Sequence, residues 1–146
     1  MQKNVLILIL NNEGGSKIFL DQYIERALKD CNIWVLKSEQ TINNPQDTKS
    51  KLFVFNYRTP EGVRYVLNAE IQNLNELLKV LNINEIFVNH LMHFNFSLMG
   101  SWLINCKVPF KIFLHDYYCI CPNVHLQHCN HSYVKFQPPN FAGIFC

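Results

Sequence analysis

Val5-Leu6-Ile7-Leu8-Ile9-Leu10 runs directly into Asn11-Asn12-Glu13-Gly14-Gly15-Ser16, and then Ile18, Leu20, Tyr23, Ile24, Ala27 and Leu28 recur at helical spacing. A short apolar run without alternation suits a strand covered on both faces, as in a parallel sheet. The polar, glycine-containing stretch reads as a loop, and Ser16 to Asp30 as a helix with Ser16 as its N-cap. Strand, glycine turn and helix in that order are the opening unit of an α/β domain.

The rest of the chain repeats the alternation. Ile33 to Leu36 is a second apolar strand, followed by a polar loop from Ser38 to Ser50. Leu52 to Tyr57 and Val63 to Leu67 read as strands, and Thr59-Pro60-Glu61-Gly62 as a four-residue hairpin turn between them. Ile71, Leu74, Leu77, Leu78 and Leu81 form one face of a helix. Glu85 to Asn89 is a strand ending at His90, and Phe94 to Asn105 a helix with Leu98 and Trp102 inward. Val108-Pro109 breaks that helix, and Lys111 to Leu114 is a last apolar strand running into His115-Asp116. The expectation is an α/β fold: a mostly parallel sheet with right-handed crossovers, helices on both faces and one antiparallel hairpin.

Composition agrees. With 146 residues, 49% of them hydrophobic and 16% charged, the chain is long enough for a buried core and too apolar for a disordered tail. A net charge of +2 argues against a dedicated nucleic-acid binder, so no nucleic-acid partner is expected. Six apolar residues near the N-terminus are too few for a signal-peptide core, and no run approaches the roughly 20 residues of a membrane span. A cytoplasmic location follows, with thiols reduced. The Phe- and Trp-rich, charge-poor last third adds an expectation of peripheral contact with the inner face of a membrane. Asn is abundant alongside Lys and Ile, which reads as compositional bias without function.

The chemistry is skewed toward the C-terminus. Asp116 is the one acid after Glu85, and all six histidines (His90, His93, His115, His125, His128, His131) lie at or after position 90. In a sheet of this kind ligands sit at the carboxyl ends of the strands. That places Gly14-Gly15, His90 to His93, and His115-Asp116 on one edge. Gly14 and Gly15 allow backbone to approach a ligand beside helix N-terminal amides, or form a plain tight turn. Asp116 orients a histidine, accepts a hydroxyl proton, or caps a helix. His90 and His93 are ligand-facing or ordinary half-buried histidines. Cys119, Cys121, His125, His128, Cys129 and His131 supply enough N and S ligands for zinc, at a spacing that matches no standard finger, or are small buried thiols beside solvated imidazoles.

The stretch His115-Asp116-Tyr117-Tyr118-Cys119-Ile120-Cys121-Pro122-Asn123-Val124-His125-Leu126 resembles the His-Asp-Tyr-Tyr-x-x-Cys-Pro-x-x-x-Leu signature of bacterial GT-B glycosyltransferases related to family 4. Asn12 to Ser16 is similar to that family's glycine loop, Val88-Asn89-His90-Leu91 to its strand ending in histidine, and Val108 to Leu114 to the strand leading into the motif. The resemblance covers Met1 to about Leu126. It implies the Rossmann-like, acceptor-side N-terminal domain of a GT-B enzyme over residues 1–126, with 127–146 as an irregular Cys-, His- and Pro-containing tail. It further implies that Asp116 and His115 are catalytic, that Gly14, Gly15, His90, His93 and Tyr117 bind substrate, and that the full enzyme uses a nucleotide-sugar donor and a glycan or lipid-linked acceptor. Most donor contacts would come from a second domain, on a partner chain if not on this one. The family continues with further cysteines, whereas Pro138 to Cys146 does not match, which suggests truncation, a frameshift or a pairing partner. The alternative is a zinc-stabilised or degenerate binding module without catalysis.

Overall fold

The computed structural model describes residues 2–9, 15–38, 51–91 and 94–114. By its internal contacts the chain falls into two units, Met1–Phe113 and Leu114–Cys146, and the architecture below is that of the first. Its strands are β1 (Asn4–Leu8), β2 (Asn32–Ser38), β3 (Lys51–Asn56), β4 (Arg64–Asn68), β5 (Glu85–Val88) and β6 (Phe110–Ile112). Its helices are α1 (Gly15–Ala27), α2 (Ile71–Val80) and α3 (Phe96–Asn105). The strands form one mixed sheet in the order β4-β3-β2-β1-β5-β6. β1 pairs in parallel with β2 and β5, β5 pairs in parallel with β6, and β3–β4 is an antiparallel hairpin on the outer side of β2. The fold is α/β, with a six-stranded, mostly parallel sheet.

β1 is the centre, as its unbroken apolar run requires. Val5, Leu6, Ile7 and Leu8 are all 0% exposed, and alternate residues enter different cores. Leu6 and Leu8 join Leu74, Leu77 and Leu78 of α2 and Met99, Trp102 and Leu103 of α3. Val5 and Ile7 join Leu20 and Ile24 of α1 together with Ile33 and Phe87. Helices therefore cover both faces. Right-handed crossovers leaving β1 and β5 in opposite directions put α1 and α3 on opposite sides of the sheet, as observed.

α2 ends in a Schellman motif. The Ile83 N–H donates to the Leu78 carbonyl at 2.9 Å and the Asn82 N–H to the Lys79 carbonyl at 3.0 Å, while Asn82 takes φ of 48°. Asn tolerates this left-handed conformation better than other side-chain-bearing residues. Asn82→Ala should cost about 1 kcal/mol and Asn82→Gly little or nothing, as read from urea unfolding of the two variants. α3 starts at Asn95, whose side chain accepts from the Leu98 N–H at 3.0 Å, and Asn95→Ala should cost about 1 kcal/mol in the same measurement.

Asparagine has a structural use that its abundance did not disclose. Asn56 Nδ2 donates to Asn32 Oδ1 at 2.7 Å, Asn32 Nδ2 to Asn4 Oδ1 at 2.9 Å, and Asn4 Nδ2 to the Leu81 carbonyl at 2.9 Å. This amide ladder links β3, β2, β1 and the end of α2. Close by, Glu85 accepts from both Lys3 and Lys111, and Lys111 Nζ sits over the Phe87 ring. Burial pushes the Glu85 carboxyl up, but its hydrogen bonds to Lys111 and Lys3 outweigh that and hold it below its ordinary value of 4.5. A carboxylate depressed in the folded state stabilises above its unfolded pKa, and that stability is lost as pH falls through the folded value. Glu85→Gln should therefore flatten the acid limb of a stability–pH curve while the wild type loses stability below about pH 4.5.

Most element boundaries differ from the sequence reading by one to three residues, and four differences bear on the edge and the hairpin. α1 begins at Gly15, so Ser16 lies in its first turn rather than capping it. β2 extends to Ser38, because the hairpin supplies a longer partner strand. The hairpin connection runs from Tyr57 to Val63, and Thr59 to Gly62 is the turn at its tip, closed by a 2.9 Å bond from the Gly62 N–H to the Thr59 carbonyl. β6 is Phe110–Ile112 rather than Lys111 to Leu114; it stands last in the strand order, and all three of its residues are exposed.

Candidate functional site

β1, β2, β5 and β6 run in parallel, so their carboxyl ends share one edge of the sheet. Strand order reverses at β1. The chain leaves β1 through α1 to β2 on one side, and returns through the hairpin and α2 to β5 on the other. Because the flanking connections turn away to opposite faces, the edge between β1 and β5 is where a fold of this type opens to a ligand. The local hydrogen bonds shape that point. The Leu8 carbonyl accepts from the Asn89 N–H at 2.9 Å and from the His90 N–H at 3.2 Å. Both of its lone pairs are used, and the chain leaving β5 is held across the end of β1. Asn89 is buried at 3% exposure, and His90 is half-buried at the edge. The N-terminal turn of α1 opens on the same side, since α1 returns antiparallel to β1. Its first N–H groups have no partner within the helix and carry the positive end of the helix dipole.

The charges near this edge add to that potential. The first turn of α1 has no acid, and Lys17 stands there instead. Lys37 is the penultimate residue of β2, with its ammonium 5.3 Å from the centre of the Phe55 ring. Burial, and after it the Lys17 charge, hold Lys37 below the ordinary lysine range. Lys17 also pairs with Asp21 at 2.8 Å, and Asp21 accepts the Tyr57 hydroxyl at 2.6 Å. Burial pushes the Asp21 carboxyl up, but the Lys17 and Tyr57 hydrogen bonds prevail and lower it. Burial, then the Asp21 hydrogen bond, push Tyr57 up to about 12, so its hydroxyl remains a donor at neutral pH. Tyr57 thereby clamps the end of β3 to α1. Among the described residues, Lys17, Lys37 and Asp21 are the charged groups of this stretch, beside the helix N-terminus, whose amides favour an anion.

Of the residues singled out in the sequence, Gly15 is the first residue of α1 and His90 follows β5 by two positions. The structure brings these two to the expected edge. Gly14, His93, His115, Asp116, Tyr117 and the cluster Cys119, Cys121, His125, His128, Cys129 and His131 lie outside the described residues. Among the described residues, no three His, Cys, Asp or Glu side chains gather in a way that would hold a metal ion. Cys31 and Cys106 are free thiols. The Cys106 thiol donates to the Leu103 carbonyl at 3.3 Å and packs beside the α2–α3 core, a structural use. No described helix is long and apolar enough to cross a membrane. Sequence reasoning missed Lys17 and Lys37. The signal for Lys17 was a basic residue in an acid-free first turn, whereas the nearness of Lys37 depends on tertiary structure. No family model, curated protein or solved structure matches the chain.

Proposed function

We propose that this chain is the acceptor-side half of a nucleotide-sugar-dependent glycosyltransferase, with a Rossmann-like topology of the GT-B kind. The observation that carries the reading is the reversal of strand order at β1, with His90 and the N-terminal turn of α1 at the same edge. The His-Asp-Tyr-Tyr run begins three residues after β6 in sequence.

Glycosyl transfer breaks the bond between the anomeric carbon and a diphosphate oxygen, and forms one to an acceptor hydroxyl that gives up its proton. In this reading His115 or Asp116 orients or deprotonates the hydroxyl. Gly14, Gly15, His90, His93 and Tyr117 line the sugar site, and the positive edge at α1, Lys17 and Lys37 receives an anionic group of the substrate. A second domain, on this chain's continuation or on another chain, holds most of the nucleotide. The acceptor is a glycan or a lipid-linked sugar met at the inner face of a membrane.

The purified 146-residue chain should release no nucleotide from a panel of nucleotide sugars with oligosaccharide acceptors. Adding a nucleotide-sugar domain that complements it should restore transfer. Robust donor-dependent turnover by the chain alone would overturn the half-enzyme reading. Zinc at one ion per chain, lost on replacing Cys119 and Cys121, would favour a metal-stabilised binding module instead.

A further inference from the structure

The last strand is fastened differently from the rest of the sheet. β6 pairs with β5 at three positions, Phe110 with Ile86, Lys111 with Phe87 and Ile112 with Val88, and it stands at the end of the strand order. All three of its residues are exposed, and neither hydrophobic core includes any of them. β1, by contrast, is paired on both sides and has four fully buried residues. Apolar burial is what makes local opening costly, and an exposed edge strand has little of it. Two backbone bonds frame β6, from the Ile86 N–H to the Pro109 carbonyl at 3.0 Å and from the Phe113 N–H to the Val88 carbonyl at 2.9 Å. Where the chain leaves the strand, the Phe113 ring stacks on Phe87 with centres 5.7 Å apart.

Within β6 the inward hold comes from Lys111. Its Nζ lies over the Phe87 ring, 5.1 Å from the centre, and 2.8 Å from Glu85 Oε1. The Glu85 side chain is only 9% exposed, against 60% for Lys111. A carboxylate so far from water needs its charge matched in place. Lys3, just ahead of β1, supplies one partner and Lys111 the other. The two lysines are not equivalent. Lys3 ties Glu85 to the centre of the sheet, whether or not β6 is paired. Lys111 reaches Glu85 only while β6 lies on β5.

We propose that β6 is a releasable edge strand and that the buried Glu85 carboxylate, by holding Lys111, is its latch. The strand opens while β1 and β2 stay folded, and its opening bares the outer edge of β5. His115-Asp116 follows β6 in sequence, so the segment that opens is the one leading to that run. Latch and strand are built from residues 3–113 alone and are independent of the glycosyl-transfer reading.

The test is native-state hydrogen exchange of the full chain, followed amide by amide by NMR and corrected for intrinsic rates. The Ile86 and Phe113 amides should exchange at least about tenfold faster than the amides joining β1 to β2, because local opening is enough to release them. The Ile9 N–H, bonded to the Leu36 carbonyl, is one of that reference set. Lys111→Met keeps an apolar stem over Phe87 and removes the charge. It should speed Ile86 and Phe113 about tenfold further and leave the reference amides unchanged. Lys3→Met takes the other partner from the same carboxylate and should speed neither Ile86 nor Phe113 relative to the reference set. Exchange of Ile86 and Phe113 at the reference rate in the wild type would overturn the proposal. So would an equal effect of Lys111→Met on both sets, no effect on either, or a selective gain at Ile86 in Lys3→Met.

Discussion

Trp102→Ala should lower unfolding free energy by about 3–5 kcal/mol, the largest loss expected of any single substitution in the described unit. Trp102 is 1% exposed and stands between α2 and α3 in the core shared by Leu74, Leu78, Met99 and Leu103. Its ring fills volume that a methyl group leaves empty, and packed neighbours relax into such a space only in part. Its indole N–H donates to Asn75 Oδ1 at 3.1 Å. Asn75 is half-exposed, so water replaces that bond and the cavity dominates the cost. Domains of this kind have about 5–15 kcal/mol in total, so the variant should melt roughly 10–20 °C lower. Trp102→Phe separates the two contributions, keeping most of the volume while losing the hydrogen bond. A loss below about 1 kcal/mol in urea unfolding of Trp102→Ala would be inconsistent with a closely packed cavity cost and so with α3 seated on α2 as described.

The second large effect follows from the proposed glycosyl transfer. If that proposal holds, then with a complementing nucleotide-sugar domain present, Asp116→Asn should lower kcat by about 10²–10⁴ with little change in KM. An asparagine is close in shape to aspartate but neither takes a proton nor stabilises a positive imidazole. If Asp116 acts through His115, kcat and kcat/KM fall together, as for an interaction made only in the transition state. If Asp116 serves only as a helix cap, the substitution leaves kcat near the wild-type value, because Asn caps as well as Asp. Steady-state kinetics across a range of acceptor concentrations distinguishes the two outcomes.

Where local pattern and tertiary burial coincide, the sequence is a good guide to this fold. β1 was legible because a strand covered on both faces has no polar alternation, and Val5 to Leu8 are fully buried as that implies. α2 was legible because Leu74, Leu77 and Leu78 repeat at helical spacing and all three face the core. The place of β6 in the sheet was not legible, because an apolar strand has the same composition at an edge as at a centre, and its three residues are exposed. The amide ladder was hidden for a different reason. Asn4, Asn32 and Asn56 are 28 and 24 positions apart, and only the sheet register aligns them. His90 was found as the residue after an apolar strand. Lys37 was missed because its nearness to Lys17 arises from α1 crossing over β2, which no single segment encodes.

Under the proposed function, substrate meets this chain at the carboxyl edge of β1 and β5. The most direct measurement is a titration of isotopically labelled protein with nucleotide sugars and with oligosaccharide acceptors, followed by amide chemical shifts. An acceptor sugar should shift Gly15, Lys17, Asn89 and His90 in a saturable, dose-dependent way, and His90→Ala should weaken the response. Shifts confined to the opposite edge, around Asn4, Asn84 and Glu85, or no saturable shift with any acceptor or donor, would contradict it.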